Sequence, residues 1–434
     1  MSKYDKASLV HIPSGYKSGT LYNVLPNDAD GDFDFSRAST ATRVNKDGLI
    51  ETIATGTPRL DYPLLDGVVQ DNPTLLLEPQ RTNQISNSEN IQAANYSNNH
   101  INSFINQTIS PDGSQNADKI QSIVNSNQHF LQYIVSGGTA NTATISVFLK
   151  YIDEPFIQIG NPFDGSIFAN FDILNKSIGN KGFKASNQKI EDYGNGWVRC
   201  SVTFDNTGVN NQYIRFYFIP SLTSAAFPTY TPSAATSIFI WGLQAENASY
   251  STTYIPSTSG SPTTRSADVC NGAGTAADFN DSEGVLYANI AALVDDNSDR
   301  KIAIVEGATQ NQVSIGYSIS SKKIRAITYD GAVKGETFTN ACNVLDFNKI
   351  AYKYKNLDNQ LWVNGFLLDT SNNTNILNGV TLDNLGFDAN ASDFYGTTKE
   401  VIAFNEALSD TELEALTSYD SFNEMANELL FTIE

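Results

Sequence analysis

The chain is poor in the side chains from which most catalytic centres are built. Its 434 residues hold three histidines, His11, His100 and His129, in separate segments with no partner spacing. Neither a zinc triad nor a serine–histidine pair can be assembled from them. Three cysteines, Cys200, Cys270 and Cys342, lie far apart without metal-like spacing, and an odd count does not suggest a disulfide framework; they are expected as reduced, buried thiols. No Gly-x-Ser-x-Gly elbow and no phosphate-cradling glycine loop occurs. Basic residues are few, 27 against 47 acids for a net charge of -20, which argues against a nucleic-acid partner. No run approaches the roughly 20 apolar residues of a membrane span. The start, Met1-Ser-Lys-Tyr-Asp-Lys, lacks the apolar core of a secretory signal, so the expectation is a soluble protein made in a cytoplasm, with no membrane insertion.

Acids are plentiful, so counting carboxylates cannot dismiss a glycosidase. A compact Glu-x-Asp-x-x-Glu strand of the kind seen in sandwich glucanases is missing. The expectation is a chain that is not an enzyme, with no catalytic residues, no cofactor and no metal. One stretch, Asp28-Ala-Asp-Gly-Asp-Phe-Asp34, leaves a calcium reading open beside a solvated acidic turn. The twelfth position of an EF-hand loop counted from Asp28 is Ser39, not Glu.

What is abundant is Phe (24), Tyr (20) and Gly (29), a balance that favours short strands and turns over long helices. The length suggests about three domains. From Ser86 onward the alternation is that of strands: Ile145, Val147 and Leu149 share one face, as do Ile214, Phe216 and Phe218. Ser237–Trp241 is apolar on both sides, as in a sandwich interior. A Ser/Thr/Pro/Gly-rich passage, Ser257–Thr264, reads as a linker. Beyond it, Ile302/Ile304, Val313/Ile315/Tyr317/Ile319 and Ile350/Tyr352/Tyr354 keep the two-residue period. Leu361-Trp-Val-Asn-Gly-Phe-Leu367 carries the Asn-Gly signal of a type I′ hairpin. Ser409-Asp-Thr-Glu412 is a capping box that starts a short helix with Leu413 and Leu416 inward. The acidic end offers Met425, Leu429 and Leu430 for docking on the fold or on a neighbouring subunit.

The fold expected is therefore all-β. Two antiparallel β-sandwich (jelly-roll) domains stand in tandem after an extended N-terminal anchoring segment, with a short C-terminal helix. The boundaries are 1–85 for the anchoring segment, 86–256 for the first sandwich, 257–277 for a linker, 278–408 for the second sandwich and 409–434 for the helical tail.

Three sets of words carry a family resemblance. Phe-Ser-Arg-Ala-Ser, Ala-Thr-Arg-Val-Asn, Pro-Arg-Leu-Asp-Tyr and Leu-Leu-Leu-Glu-Pro-Gln-Arg-Thr-Asn, between Phe35 and Asn83, resemble a connector in structural proteins of tailed bacteriophages. Tyr193-Gly-Asn-Gly-Trp-Val-Arg-Cys-Ser-Val202, Ile240-Trp-Gly-Leu-Gln-Ala-Glu246, Tyr254-Ile-Pro256 and Thr264-Arg-Ser-Ala-Asp268 resemble jelly-roll modules of carbohydrate-binding type in phage fibres. Residues 278–408 resemble a laminin-G or concanavalin-A-like sandwich, without its calcium-ligand cluster. The resemblance implies a virion structural protein, a head or tail fibre or capsid decoration, that displays lectin-like sandwiches to host surface glycans. It implies a homo-oligomer, with a trimer favoured, contacts to other virion proteins through the N-terminal segment, and a location in the virion. The alternatives are a polysaccharide-degrading tailspike-type enzyme and a capsid decoration that binds no glycan. Trp197 and Trp241 have two readings, sugar-stacking platforms or core residues capping the sandwich.

Overall fold

The computed structural model describes residues 4–17, 19–135, 140–209, 213–307, 309–318, 322–374, 377, 379–387 and 392–419. Its regular secondary structure is almost entirely antiparallel sheet, with one α-helix among the described residues, Asp410–Thr417. The helix begins at the expected capping box: the Ser409 N–H donates to Glu412 Oε2 at 2.8 Å. Leu413 and Leu416 are buried beneath it. Ile319, and the tail residues Met425, Leu429 and Leu430 proposed for docking, lie outside the described residues.

Two six-stranded sheets form the first sandwich. One runs Tyr96–Asn99, His129–Ile134, Tyr213–Phe218, Phe156–Gly160, Phe168–Asp172, Ser177–Lys181; the other runs Ile101–Thr108, Ala117–Ser122, Ser237–Glu246, Thr142–Tyr151, Trp197–Asp205, Ala185–Asp192. Their inner faces supply one core in which Ile145, Val147 and Leu149 meet Ile214, Phe216 and Phe218. Period-two alternation put these side chains on common faces, and closing two such faces together removes them from water.

The second sandwich packs an eight-stranded sheet against a five-stranded one. The Asn364-Gly365 turn has the expected positive φ at both positions, 51° and 87°, joining Asn359–Val363 to Phe366–Ser371. The larger sheet is not made from residues 278–408 alone. Its strand Gly396–Phe404 pairs on one side with Glu283–Ala292, and on the other with Leu9–His11 and Thr74–Leu77. Leu9, Leu21, Phe33, Phe35, Leu60, Leu75 and Leu77 are part of the second sandwich's core. The N-terminal segment keeps the strand-and-turn character its residues dictate, but its apolar bursts are buried rather than extended away. The Ser257–Thr264 passage and its continuation are also paired: Thr263–Arg265 with Arg81–Asn83, and Val269–Asn271 with Phe33–Ser36.

The seam between these pieces is a buried ionic cluster. Arg37, Arg59 and Arg265 meet Glu78 and Asp268, all nearly inaccessible. Arg37 Nη1 lies 3.0 Å from Asp268 Oδ1, Arg59 Nη1 2.5 Å from Glu78 Oε2, and Arg265 Nη1 2.7 Å from that same oxygen; Arg59 also pairs with Asp268. Thr253 donates its N–H and its hydroxyl to Glu78 at 2.8 and 2.6 Å. Burial opposes ionisation of Glu78, but the Arg265 and Arg59 guanidiniums outweigh it and hold the carboxyl at about 2. Burial likewise counts against the Arg59 charge, and Asp268 and Glu78 overcome it, raising its pKa. Breaking such a buried set by removing one partner costs about 3–5 kcal/mol. The five residues come from four of the words that carried the resemblance, separated by up to 231 positions.

Candidate functional site: a groove beside the N-terminal hairpin

The hairpin Ala41–Val44/Ile50–Ile53 leaves this seam and lies on the outer face of the first sandwich. Thr42 donates its hydroxyl to the Tyr254 carbonyl, the Ile50 N–H donates to the Pro111 carbonyl at 2.9 Å, and the Ile50 side chain joins an aromatic cluster of Phe148, Trp197, Trp241 and Tyr254. Along Thr142–Tyr151 the residues that alternate with the core set face this way, so Phe148 and Lys150 are outward. Lys150 stands directly across from Trp197 in the register.

Between the hairpin turn, the Thr108–Pro111 loop and the Tyr193–Trp197 turn lies a groove of about 360 Å³. Leu49, Pro111, Tyr193 and Trp197 are among its apolar and aromatic lining residues, and Thr108, Ser110, Lys150 and Asn195 are its polar ones. The Tyr193 ring is braced edge-on by Phe148 at 4.8 Å. The Tyr193–Trp197 turn is closed by two backbone bonds of 2.9 Å, Tyr193 N–H to the Trp197 carbonyl and Trp197 N–H to the Gly194 carbonyl. Asn195 sits at φ 52° between Gly194 and Gly196, so the turn pushes its amide outward.

Both tryptophans singled out from the sequence fall in this region, with different surroundings. Trp241 is 1 % exposed and packs on Tyr254 and Phe148 at 4.6 and 5.3 Å between centroids; no ring face is open to a ligand. Trp197 lines the groove but is 2 % exposed and donates its Nε1–H to the Ile109 carbonyl at 3.2 Å. Tyr193, Lys150 and Asn195 were not named as site residues from the sequence. The Gly194-Asn-Gly196 turn signal was legible beside Trp197, but the hairpin that makes the opposite wall comes from residues more than 140 positions earlier.

The acidic stretch does not converge on a common point. Asp28 accepts from the Gly31 N–H at 3.2 Å and Asp32 from the Asn23 N–H at 2.7 Å. Among the described residues no group of three or more His, Cys, Asp or Glu side chains is placed to hold a metal ion. Cys200 and Cys270 are buried and Cys342 is half-buried, all as free thiols.

No family model matches the chain, and no curated protein matches it. Among solved structures it is similar to the Ruminococcus gnavus IT-sialidase CBM40, at 14% identity over 32% of this chain and 84% of that one, TM-score 0.28. It is also similar to domain 4 of AbnA, a GH43 extracellular arabinanase from Geobacillus stearothermophilus, in complex with arabinotriose, at 10% identity over 35% and 73%, TM-score 0.30. A third is the Trypanosoma rangeli sialidase in complex with sialic acid, at 11% identity over 73% and 62%, TM-score 0.26. Likenesses this distant assign no ligand and no reaction to the chain, and none of the three is a bacteriophage protein. They do correct one expectation: with sialidases among the structures it is similar to, one over 73% of its length, the exclusion of an enzyme is withdrawn, and no activity is put in its place.

Proposed function

We propose that this is a glycan-binding protein whose first sandwich takes a sugar in the groove beside the N-terminal hairpin. The observation that carries the reading is the groove's make-up. A braced tyrosine and Leu49 line it together with the polar residues Asn195 and Thr108, the residue types that hold a pyranose, with its C–H face on an aromatic ring and its hydroxyls on polar side chains. The glycan-associated modules among the similar structures accord with it. The connector words between Phe35 and Asn83 support display on a tailed-phage virion as a homo-oligomer, where repetition strengthens weak sugar contacts.

A glycan array probed with the full chain tests the binding. A set of related sugars is expected to bind, with Tyr193→Ala lowering affinity about five- to tenfold and Asn195→Gly, which suits the positive φ, lowering it while leaving the fold intact. Binding to no glycan, or binding indifferent to both variants, sinks the reading. Following the same incubations for released sugar decides whether binding is accompanied by cleavage. Gold-labelled antibody on purified particles tests the virion location.

A further inference from the structure

Resting on that reading of the groove, we propose that its ligand is an acidic sugar, one carrying a carboxylate, and that Lys150 is the residue that selects for it. Lys150 is the one cation among the groove's lining residues. Among the described residues it makes no ion pair and no side-chain hydrogen bond, although the chain carries a net charge of -20 and most of its buried or half-buried cations are paired.

The nearby acids are already engaged. Asp192 is paired with Lys176 and accepts the Gly194 N–H at 2.9 Å. Glu191 lies 2.7 Å from Lys189. Asp112 accepts from the Ser110 hydroxyl at 2.6 Å and from the Ser114 N–H at 2.7 Å. Lys150 thus lines the cavity with no acid paired to it among the described residues.

The local backbone keeps it there. The stem of Lys150 runs over Gly196, where a Cβ would stand 3.3 Å from the lysine Cε; the absent side chain is the space the stem uses. Gly196 holds φ 79°, which suits glycine. Across the strand, Trp197 fixes the other flank. A carboxylate on a ring seated against Tyr193 and Leu49 would accept a charge-assisted hydrogen bond from this ammonium, the strong class of polar contact. A neutral sugar in the same place would leave the charge to water.

The test uses the full chain and matched ligand pairs: a uronic or nonulosonic acid glycoside found by the array, and its methyl ester. The acid is expected to bind about tenfold tighter than the ester. Lys150→Met should bring the acid-to-ester affinity ratio from about ten to about one, and Lys150→Arg should restore most of it. Equal affinities for acid and ester in the parent protein overturn the inference and leave the glycan-binding reading standing, as does an acid preference that survives Lys150→Met. Binding of neither member, nor of any neutral glycan, removes the groove as a sugar site altogether, and the inference with it. Thermal unfolding of each variant separates lost selectivity from lost fold.

Discussion

His11 is neutral because of where its strand lies. It sits on Leu9–His11 with no exposed surface, donates from Nδ1 to Asn23 Oδ1 at 2.7 Å, and packs edge-on against Phe33. Its Nε2 is buried without a partner. Burial, only partly offset by the bond to Asn23, lowers its pKa from 6.5 to about 4, because a second proton would create a charge with no acceptor beside it. Between pH 6.5 and 4 this residue therefore binds more protons in the unfolded chain than in the folded one, whereas Asp61 and Asp118, which burial raises to about 6, act in the opposite direction between 6 and 3.8. The histidine's stability, full above 6.5, is lost as pH falls through its window, by about 3 kcal/mol. Glu78 acts lower down: depressed to about 2 from 4.5, it contributes stability above 4.5 that disappears as pH falls toward 2. Urea unfolding of the parent and of His11→Leu, followed from pH 7 to 3, isolates the histidine's part as the difference between the two proteins. His11→Leu should flatten the slope between 6.5 and 4 and leave the slope below 4.5. An unchanged upper slope would mean that this imidazole is not the group being protonated. Nothing in the sequence around His11 announced this; its isolation from other titratable residues was legible, its burial by Phe33 was not.

Short elements decide the shape of the groove, and two glycines with the same backbone sign separate what a turn needs from what packing needs. Gly194 has φ 71° and a Cβ there would stand 2.7 Å from the Gly67 carbonyl oxygen, so the turn before Trp197 is pressed against the small hairpin Leu64–Leu65/Val68–Val69. Gly208 has φ 80° with nothing within 4 Å. Gly208→Ala should cost about 1 kcal/mol, the conformational penalty alone. Gly194→Ala should cost about 2–4 kcal/mol, because backbone must move as well, and it should weaken glycan binding by displacing Tyr193 and Asn195. Differential scanning calorimetry of the pair checks the order; equal melting temperatures would refute the contact. The sequence showed the first of these positions as a turn, through Gly194-Asn-Gly196. Period-two alternation likewise showed the strands and their inward faces. What it could not show is which element a turn leans on, since that depends on chain returning from far away.

Taken whole, the molecule is threaded by its own beginning. The two sandwiches were legible because each strand alternates locally, whereas the pairing of Gly396–Phe404 with Leu9–His11 and Thr74–Leu77 joins residues more than 300 positions apart and leaves no local signature. The resemblance of the 35–83 words marked them as a unit without saying what they pack against; in the structure Arg37, Arg59 and Glu78 from those words pair with Arg265 and Asp268 in one buried place. The seven large apolar side chains that the first 85 residues bury in the second sandwich are worth roughly 10–20 kcal/mol at 1.5–3 kcal/mol each, comparable with the whole stability of a domain. Residues 278–434 made alone should therefore lack a cooperative transition. The three tryptophans make this measurable: Trp362 is buried in the second sandwich, Trp197 and Trp241 lie on the first, so with Trp197→Phe and Trp241→Phe the fluorescence of Trp362 reports the second sandwich alone. In the full chain it should unfold in one sharp urea transition. In a chain beginning at residue 86 that transition should vanish or move far toward zero denaturant, and an unshifted midpoint would show that the N-terminal strands decorate the second sandwich without holding it together.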